Sequence, residues 1–177
     1  MAEILLAVTG GIAAYKSLDV LRMLQRRGHG VTVVMTQSAT RFVGPASFAA
    51  LSGREVGVHL FGASDQPGYH HLDVVKDHDL MLIAPASANT IAKLGIGMAD
   101  SLLGSCYLAF QGPVLVAPAM NTGMWLHPAQ QENVERLRAH GVQIIEPASG
   151  LLADGFDEFV TPEQGYIRER IWCNQTA

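Results

Sequence analysis

Charge is scarce in this sequence. Only 16% of its 177 residues are Asp, Glu, Lys or Arg, against about 25% in an ordinary soluble domain. Apolar residues make up 49%, so a full core can form, and the shortage of charge points to further area hidden between subunits. Cysteine is scarcer still. Cys106 and Cys173 are the only two, too few for a disulfide scaffold, and they fit a reducing cytoplasm. There is no basic block and the net charge is −4, so the phosphate-neutralising surface of a nucleic-acid binder is missing. No apolar run reaches the roughly 18 residues of a membrane span. No basic stretch precedes the apolar start, so no secretory leader is expected. The spacings H-x-x-x-H and H-x-x-E-H are absent, which argues against a metal site. So are the nucleophile elbow G-x-S-x-G and the G-K-[ST] ending of a P-loop. What remains is a cytoplasmic α/β domain with no nucleic-acid or membrane partner.

What is present is an alternation of apolar runs and helical patterns. Residues 3–8, 31–35, 80–84 and 113–117 are continuous apolar runs, the signature of parallel strands buried on both faces. Residues 142–145 are a weaker fifth. Between them, 12–27 carries Ala14, Leu18, Leu21 and Leu24 at helical spacing and ends at Gly28. Residues 88–110 read as one long, mostly apolar helical region interrupted by glycines. Residues 128–140 start on a proline and stop before Gly141. The alternation predicts a doubly wound parallel sheet, in which ligands sit outside the carboxyl ends of the strands. The segments to inspect are therefore 9–11, 36–38, 85–90 and 118–125.

In the first of these, Gly10 and Gly11 allow backbone N–H groups to approach a phosphate; a tight strand-to-helix turn would use the same glycines. The second reads Thr36-Gln37-Ser38. It lacks the carboxylate that a dinucleotide ribose requires and offers hydroxyls, which suit a phosphate or a flavin. The third, Pro85-Ala86-Ser87-Ala88-Asn89-Thr90, is a small-residue turn rich in hydroxyl and amide groups. It can cradle an anion, or Ser87 or Asn89 can simply cap a helix. The fourth places Asn121 among Met120, Met124 and Trp125. A polar amide over soft apolar side chains can orient a substrate, and core packing would equally use the methionines. His70 and His71 lie ahead of a strand, where a histidine is a candidate base near neutral pH.

Together these segments resemble one family, the homo-oligomeric flavin-containing cysteine decarboxylases. Its members include phosphopantothenoylcysteine decarboxylase and the peptidyl-cysteine decarboxylases of lanthipeptide-like pathways. The matching pieces are Val8-Thr9-Gly10-Gly11-Ile12-Ala13-Ala14-Tyr15-Lys16, His71-Leu72-Asp73, the 85–90 turn and the 118–125 loop. The resemblance implies a Rossmann-like (flavodoxin-like) sheet in a single FMN-binding domain over 1–177, with 156–177 as a substrate-covering flap or a packed tail. It implies a homotrimer or a trimer-built homododecamer with flavin at a subunit interface. FMN would be held by Gly10, Gly11, Thr36, Ser38, Ser87, Ala88, Asn89 and Met120. His71, rather than His70, matches the family's active-site histidine. Asn121 would act with it, and Asn121 and Met124 match the substrate-contacting positions.

One departure is informative. Where phosphopantothenoylcysteine decarboxylases carry the cysteine that protonates the intermediate, this chain has Asp154. The resemblance therefore implies, as the leading expectation, oxidative decarboxylation of a peptide's C-terminal cysteine to an enethiol. Oxidation of the C–S unit by flavin places the carboxylate β to a thiocarbonyl, so the charge left by carbon dioxide spreads onto sulfur. The alternative is phosphopantothenoylcysteine decarboxylase of coenzyme A biosynthesis, with another proton donor.

Overall fold

The computed structural model describes residues 1–61, 71–146, 148–151 and 157–160. In chain order the elements are β1 (Glu3–Val8), a 3-10 turn (Ile12–Tyr15) leading into α1 (Lys16–Arg26), β2 (Gly30–Met35), α2 (Pro45–Ser52), β3 (Val56–Gly57), α3 (His71–Lys76), β4 (Leu80–Ala86), α4 (Ala88–Gly95), α5 (Leu102–Ala109), β5 (Val114–Pro118), α6 (Thr122–Trp125), α7 (Pro128–Ala139) and β6 (Gln143–Ile144). A separate antiparallel hairpin pairs β7 (Ala148–Leu151) with β8 (Asp157–Val160).

The continuous apolar runs do become strands closed on both faces. Every residue of β4 and β5 is buried, as is all of β1 after Glu3. Strands β1 to β6 form one parallel sheet in the order β3-β2-β1-β4-β5-β6. That is the Rossmann order and not the flavodoxin-like one. Helices α1 and α2 cover one face, where Leu21, Leu24 and Phe48 reach zero exposure. Helices α4, α5 and α7 cover the other with Ile91, Leu103, Val134 and Leu137. Each fully buried side chain of this size contributes about 1.5–3 kcal/mol relative to leaving it in water.

Local signals set the helix ends. Gly28 takes φ 81° just past α1, and Gly141 takes φ 84° just past α7; only glycine adopts that left-handed geometry without strain. Pro128 opens α7 at the position where a missing N–H costs nothing. Two expectations are corrected. The long region 88–110 is two helices, because Gly97 turns left-handed (φ 70°) and Ser101 caps a new start by accepting a hydrogen bond from the Gly104 N–H. The pattern at 12–27 is a 3-10 turn followed by an α-helix from Lys16. No helix among the described residues is long and apolar enough to cross a membrane.

The chain winds outward from β1 through β2 to β3, then returns to place β4 on the other side of β1. Two neighbouring strands therefore send their following segments to opposite faces. The crevice that opens between them is where such sheets bind ligands.

Candidate functional site

The site begins with an irregularity at the end of β4. Its pairing with β5 runs in step to Ile83–Val116 and then resumes at Ala86–Pro118, so β4 carries one extra residue. A bulge of this kind takes backbone groups out of the ladder. Here side chains recover them. The Ser17 hydroxyl donates to the Ala84 carbonyl at 2.7 Å. The Thr9 hydroxyl donates to the Pro85 carbonyl at 2.7 Å and accepts from the Ser87 N–H at 2.8 Å. Both residues are buried, Thr9 completely. The Thr9 N–H also reaches the Pro85 carbonyl, at 3.2 Å. Thr9 thus ties the end of β1 to the turn that starts α4.

Gly10 follows, against the loop after β2. A Cβ on Gly10 would lie 2.4 Å from the Ser38 Oγ, so only glycine lets the two strand-end loops approach this closely. Gly11 is extended, with open space where its side chain would be. The Ser38 hydroxyl shares a hydrogen bond with that of Thr36 at 3.1 Å. Across from them, Ser87 caps α4 by accepting from the Thr90 N–H at 3.3 Å. Ala88 is the first residue of that helix. Thr36, Ser38 and Asn89 line one cleft of about 270 Å³, together with Lys93, Met98, Asp100 and Ser101.

The β5 loop joins the same edge, since the Ala119 N–H donates to the Ala86 carbonyl at 3.0 Å. Met120 is half-buried against the core beneath α4 and α7. Asn121 caps α6, its side-chain oxygen accepting from the Gly123 N–H at 2.8 Å. Met124 is 51% exposed, whereas Trp125 is buried. His71 is carried elsewhere: it opens α3, which packs on α5. Its carbonyl accepts a weak bond from the Cys106 Sγ at 3.9 Å. Burial pushes the Cys106 thiol up to about 12, so it remains a thiol, and not the nucleophilic thiolate, at neutral pH. His70, Asp154 and Cys173 lie outside the described residues.

The strand-end rule therefore brings Gly10, Thr36, Ser38, Ser87, Ala88 and Asn89 to one edge of the sheet, with Met120 and Asn121 beside them. His71 comes from a separate helix. The sequence reading missed the hydroxyls of Thr9 and Ser17 and the cleft residues Lys93 and Asp100. Ser17 had one available sign, a polar residue on the inward side of an amphipathic pattern. The donor set fits a flavin mononucleotide: the cleft is lined by the hydroxyls of Thr36, Ser38, Thr90 and Ser101 and the Asn89 carboxamide, and Gly10 leaves Ser38 unobstructed beside it. The one carboxylate on its lining, Asp100, is paired with Lys93.

Known proteins agree with this geometry. A family model described as Flavoprotein matches residues 1–165. The coenzyme A biosynthesis bifunctional protein CoaBC of Mycolicibacterium smegmatis is 49% identical over 150 residues, which is 85% of this chain and 36% of that protein. The chain spans 35–38% of the length of the CoaBC relatives it matches in Mycobacterium tuberculosis and Bacillus subtilis. The FMN-dependent cysteine decarboxylase SpaF superposes with a TM-score of 0.84 at 29% identity, over 99% of this chain and 98% of that one. A cysteine-to-serine mutant of a PPC decarboxylase, complexed with pantothenoylaminoethenethiol, superposes with a TM-score of 0.85 at 27% identity over 99% of both chains.

Proposed function

Because the chain belongs to the Flavoprotein family, we propose that it is an FMN-dependent decarboxylase acting on the cysteine of a phosphopantothenoyl conjugate, in coenzyme A synthesis. The observation that carries this choice of substrate is the 49% identity to a coenzyme A biosynthesis protein over 85% of the chain, against 29% to SpaF. It displaces the leading expectation from the sequence, a peptide ending in cysteine. The two substrates present the same reacting group, a cysteine acylated on nitrogen with a free carboxylate.

FMN, when bound, supplies the two-electron chemistry that makes carbon dioxide a leaving group from a cysteine carboxylate. The chain's own residues do the rest. Gly10, Gly11, Thr36 and Ser38 hold the cofactor from the β1 and β2 side, and Ser87, Ala88, Asn89 and Met120 from the β4 and β5 side. His71 acts as the base that takes the proton of the substrate thiol. The side-chain oxygen of Asn121 is engaged in the α6 cap, so toward the substrate carboxylate this residue acts as a donor through its NH2 group. Met124 packs on the substrate.

A second reading concerns the product, and one observation favours it. Asp154 stands where the resemblance expects a proton-donating cysteine. The solved PPC decarboxylase that holds an aminoethenethiol is itself a cysteine-to-serine mutant. In this second reading the chain releases an enethiol and the two electrons left on the flavin pass to dioxygen, whereas in the first reading they return to the product as it becomes the reduced thiol. Incubation with phosphopantothenoylcysteine and, separately, with a cysteine-ending peptide tests both points by mass. Turnover of the conjugate in preference to the peptide is expected; the reverse restores the peptide reading. Loss of carbon dioxide plus two hydrogens marks the enethiol, and loss of carbon dioxide alone marks the reduced product.

The assembly belongs to the same proposal: a trimer or trimer-built dodecamer of cytoplasmic subunits, each one FMN-binding domain. Ile12, Tyr15, Phe42 and Leu126 are each at least 50% exposed, which supports further burial between copies.

A further inference from the structure

Two charged side chains line the flavin cleft, Lys93 near the end of α4 and Asp100 just before the α5 cap. Lys93 Nζ and Asp100 Oδ2 are 2.5 Å apart, and the side chains are 36% and 44% exposed. A pair this exposed adds little to stability, so its position is the feature to explain. The loop between them is held at several points. Gly97 is left-handed, the Met98 N–H donates to the Lys93 carbonyl at 2.8 Å, and Gly104 packs so closely that a Cβ would sit 2.5 Å from the Met98 carbonyl oxygen. The backbone of Asp100 is therefore held beside the cleft. Its carboxylate is a negative charge on the wall of a cavity whose lining residues, Lys93 and Asp100 apart, are neutral.

FMN differs from riboflavin by a phosphate ester, which carries about −1.5 to −2 at neutral pH. A bare carboxylate on the wall would repel it, and riboflavin would feel no such force. We propose that Lys93 is a specificity-determining residue of the cleft: by cancelling Asp100 it allows the phosphorylated flavin to be preferred over the neutral one. This inference rests on the flavin reading of the cleft given above.

The test is titration of the full chain, freed of flavin, with FMN and with riboflavin at low salt, followed by flavin fluorescence. Lys93→Met is expected to weaken FMN about threefold to tenfold and to leave riboflavin within about twofold. Adding Asp100→Asn to Lys93→Met should return FMN affinity to near the wild-type value, a rescue that a purely structural role would not produce. Asp100→Asn alone should bind FMN at least as tightly as wild type, and this arm stands even where Lys93→Met fails to fold. Equal weakening of both flavins, no rescue in the double variant, or weaker FMN binding by Asp100→Asn would each overturn the inference. Wild-type protein that binds neither flavin would remove the flavin reading and the inference with it. Wild type that binds FMN, with Lys93→Met unchanged, would remove the inference alone.

Discussion

Replacing Thr9 with valine removes a hydroxyl and keeps the side-chain shape, at the point where β1 is tied to the β4 turn. Two hydrogen bonds go with it, one to the Pro85 carbonyl and one from the Ser87 N–H. Their losses are unequal. The Pro85 carbonyl keeps the Thr9 N–H at 3.2 Å, so it is not orphaned. The Ser87 N–H, part-buried beside the fully buried Thr9, loses its acceptor, and an unpaired buried donor costs at most about 1–3 kcal/mol. In a domain of this size each kcal/mol lowers the melting temperature by about 2–4 °C. The expected drop is therefore roughly 2–12 °C, by differential scanning calorimetry on the flavin-free protein. Ser87 also loses the bond that fixes where the α4 N-terminus begins, so FMN should bind several-fold more weakly. Thr9→Ser keeps the hydroxyl and removes one methyl, worth about 0.8 kcal/mol; it should bind FMN nearly as wild type does. A valine variant that melts with wild type, or a serine variant that loses FMN as badly as valine, would refute the reasoning.

Gly10→Ala places a Cβ against the Ser38 Oγ, so FMN retention on purification should fall sharply, while Gly11→Ala, facing open space, should be milder. Cys106, with burial holding its thiol at about 12, should resist a thiol reagent at mildly alkaline pH in a Cys173→Ser background and react only on unfolding. Burial holds the His78 imidazole below its ordinary value of 6.5, against the opposing pulls of the Glu3 carboxylate and the Val74 backbone. The unfolded chain therefore binds this proton first. The stability gained by keeping His78 neutral is present above pH 6.5 and is lost as pH falls below it. The melting temperature should decline on that side, and His78→Gln should flatten the decline. His71→Asn should retain FMN, judged by its absorption, and lose most decarboxylation; unchanged turnover would remove the base from His71.

Much of this architecture was legible because burial leaves a direct mark on sequence. A strand closed on both faces has no polar positions, so β1, β4 and β5 appear as unbroken apolar runs. Helix α7 announces itself by Pro128 and Gly141. Helix α2 does not, because Phe48 alone is buried along it and a single anchor makes no periodicity. The split between α4 and α5 depends on a left-handed Gly97, and a glycine in an apolar stretch does not reveal its φ. The same division runs through the site. Thr36, Ser38 and Asn89 follow from where parallel strands end. Thr9 and Ser17 matter because β4 bulges, and a bulge is a relation between two strands that neither encodes alone. Lys93 and Asp100 are seven apart, one on α4 and the other in the loop that follows it, outside the i,i+3 and i,i+4 pairs of a single helix.

The sheet's two outermost strands, β3 and β6, are each only two residues long. An exposed strand with a long row of free amide and carbonyl groups invites another chain to add itself and keep growing. Ends this short offer almost no template. In the assembly proposed above, copies would therefore meet through helices and loops, which favours closed assemblies of fixed number over open-ended fibres. The strands can remain as apolar as they are without making the protein sticky.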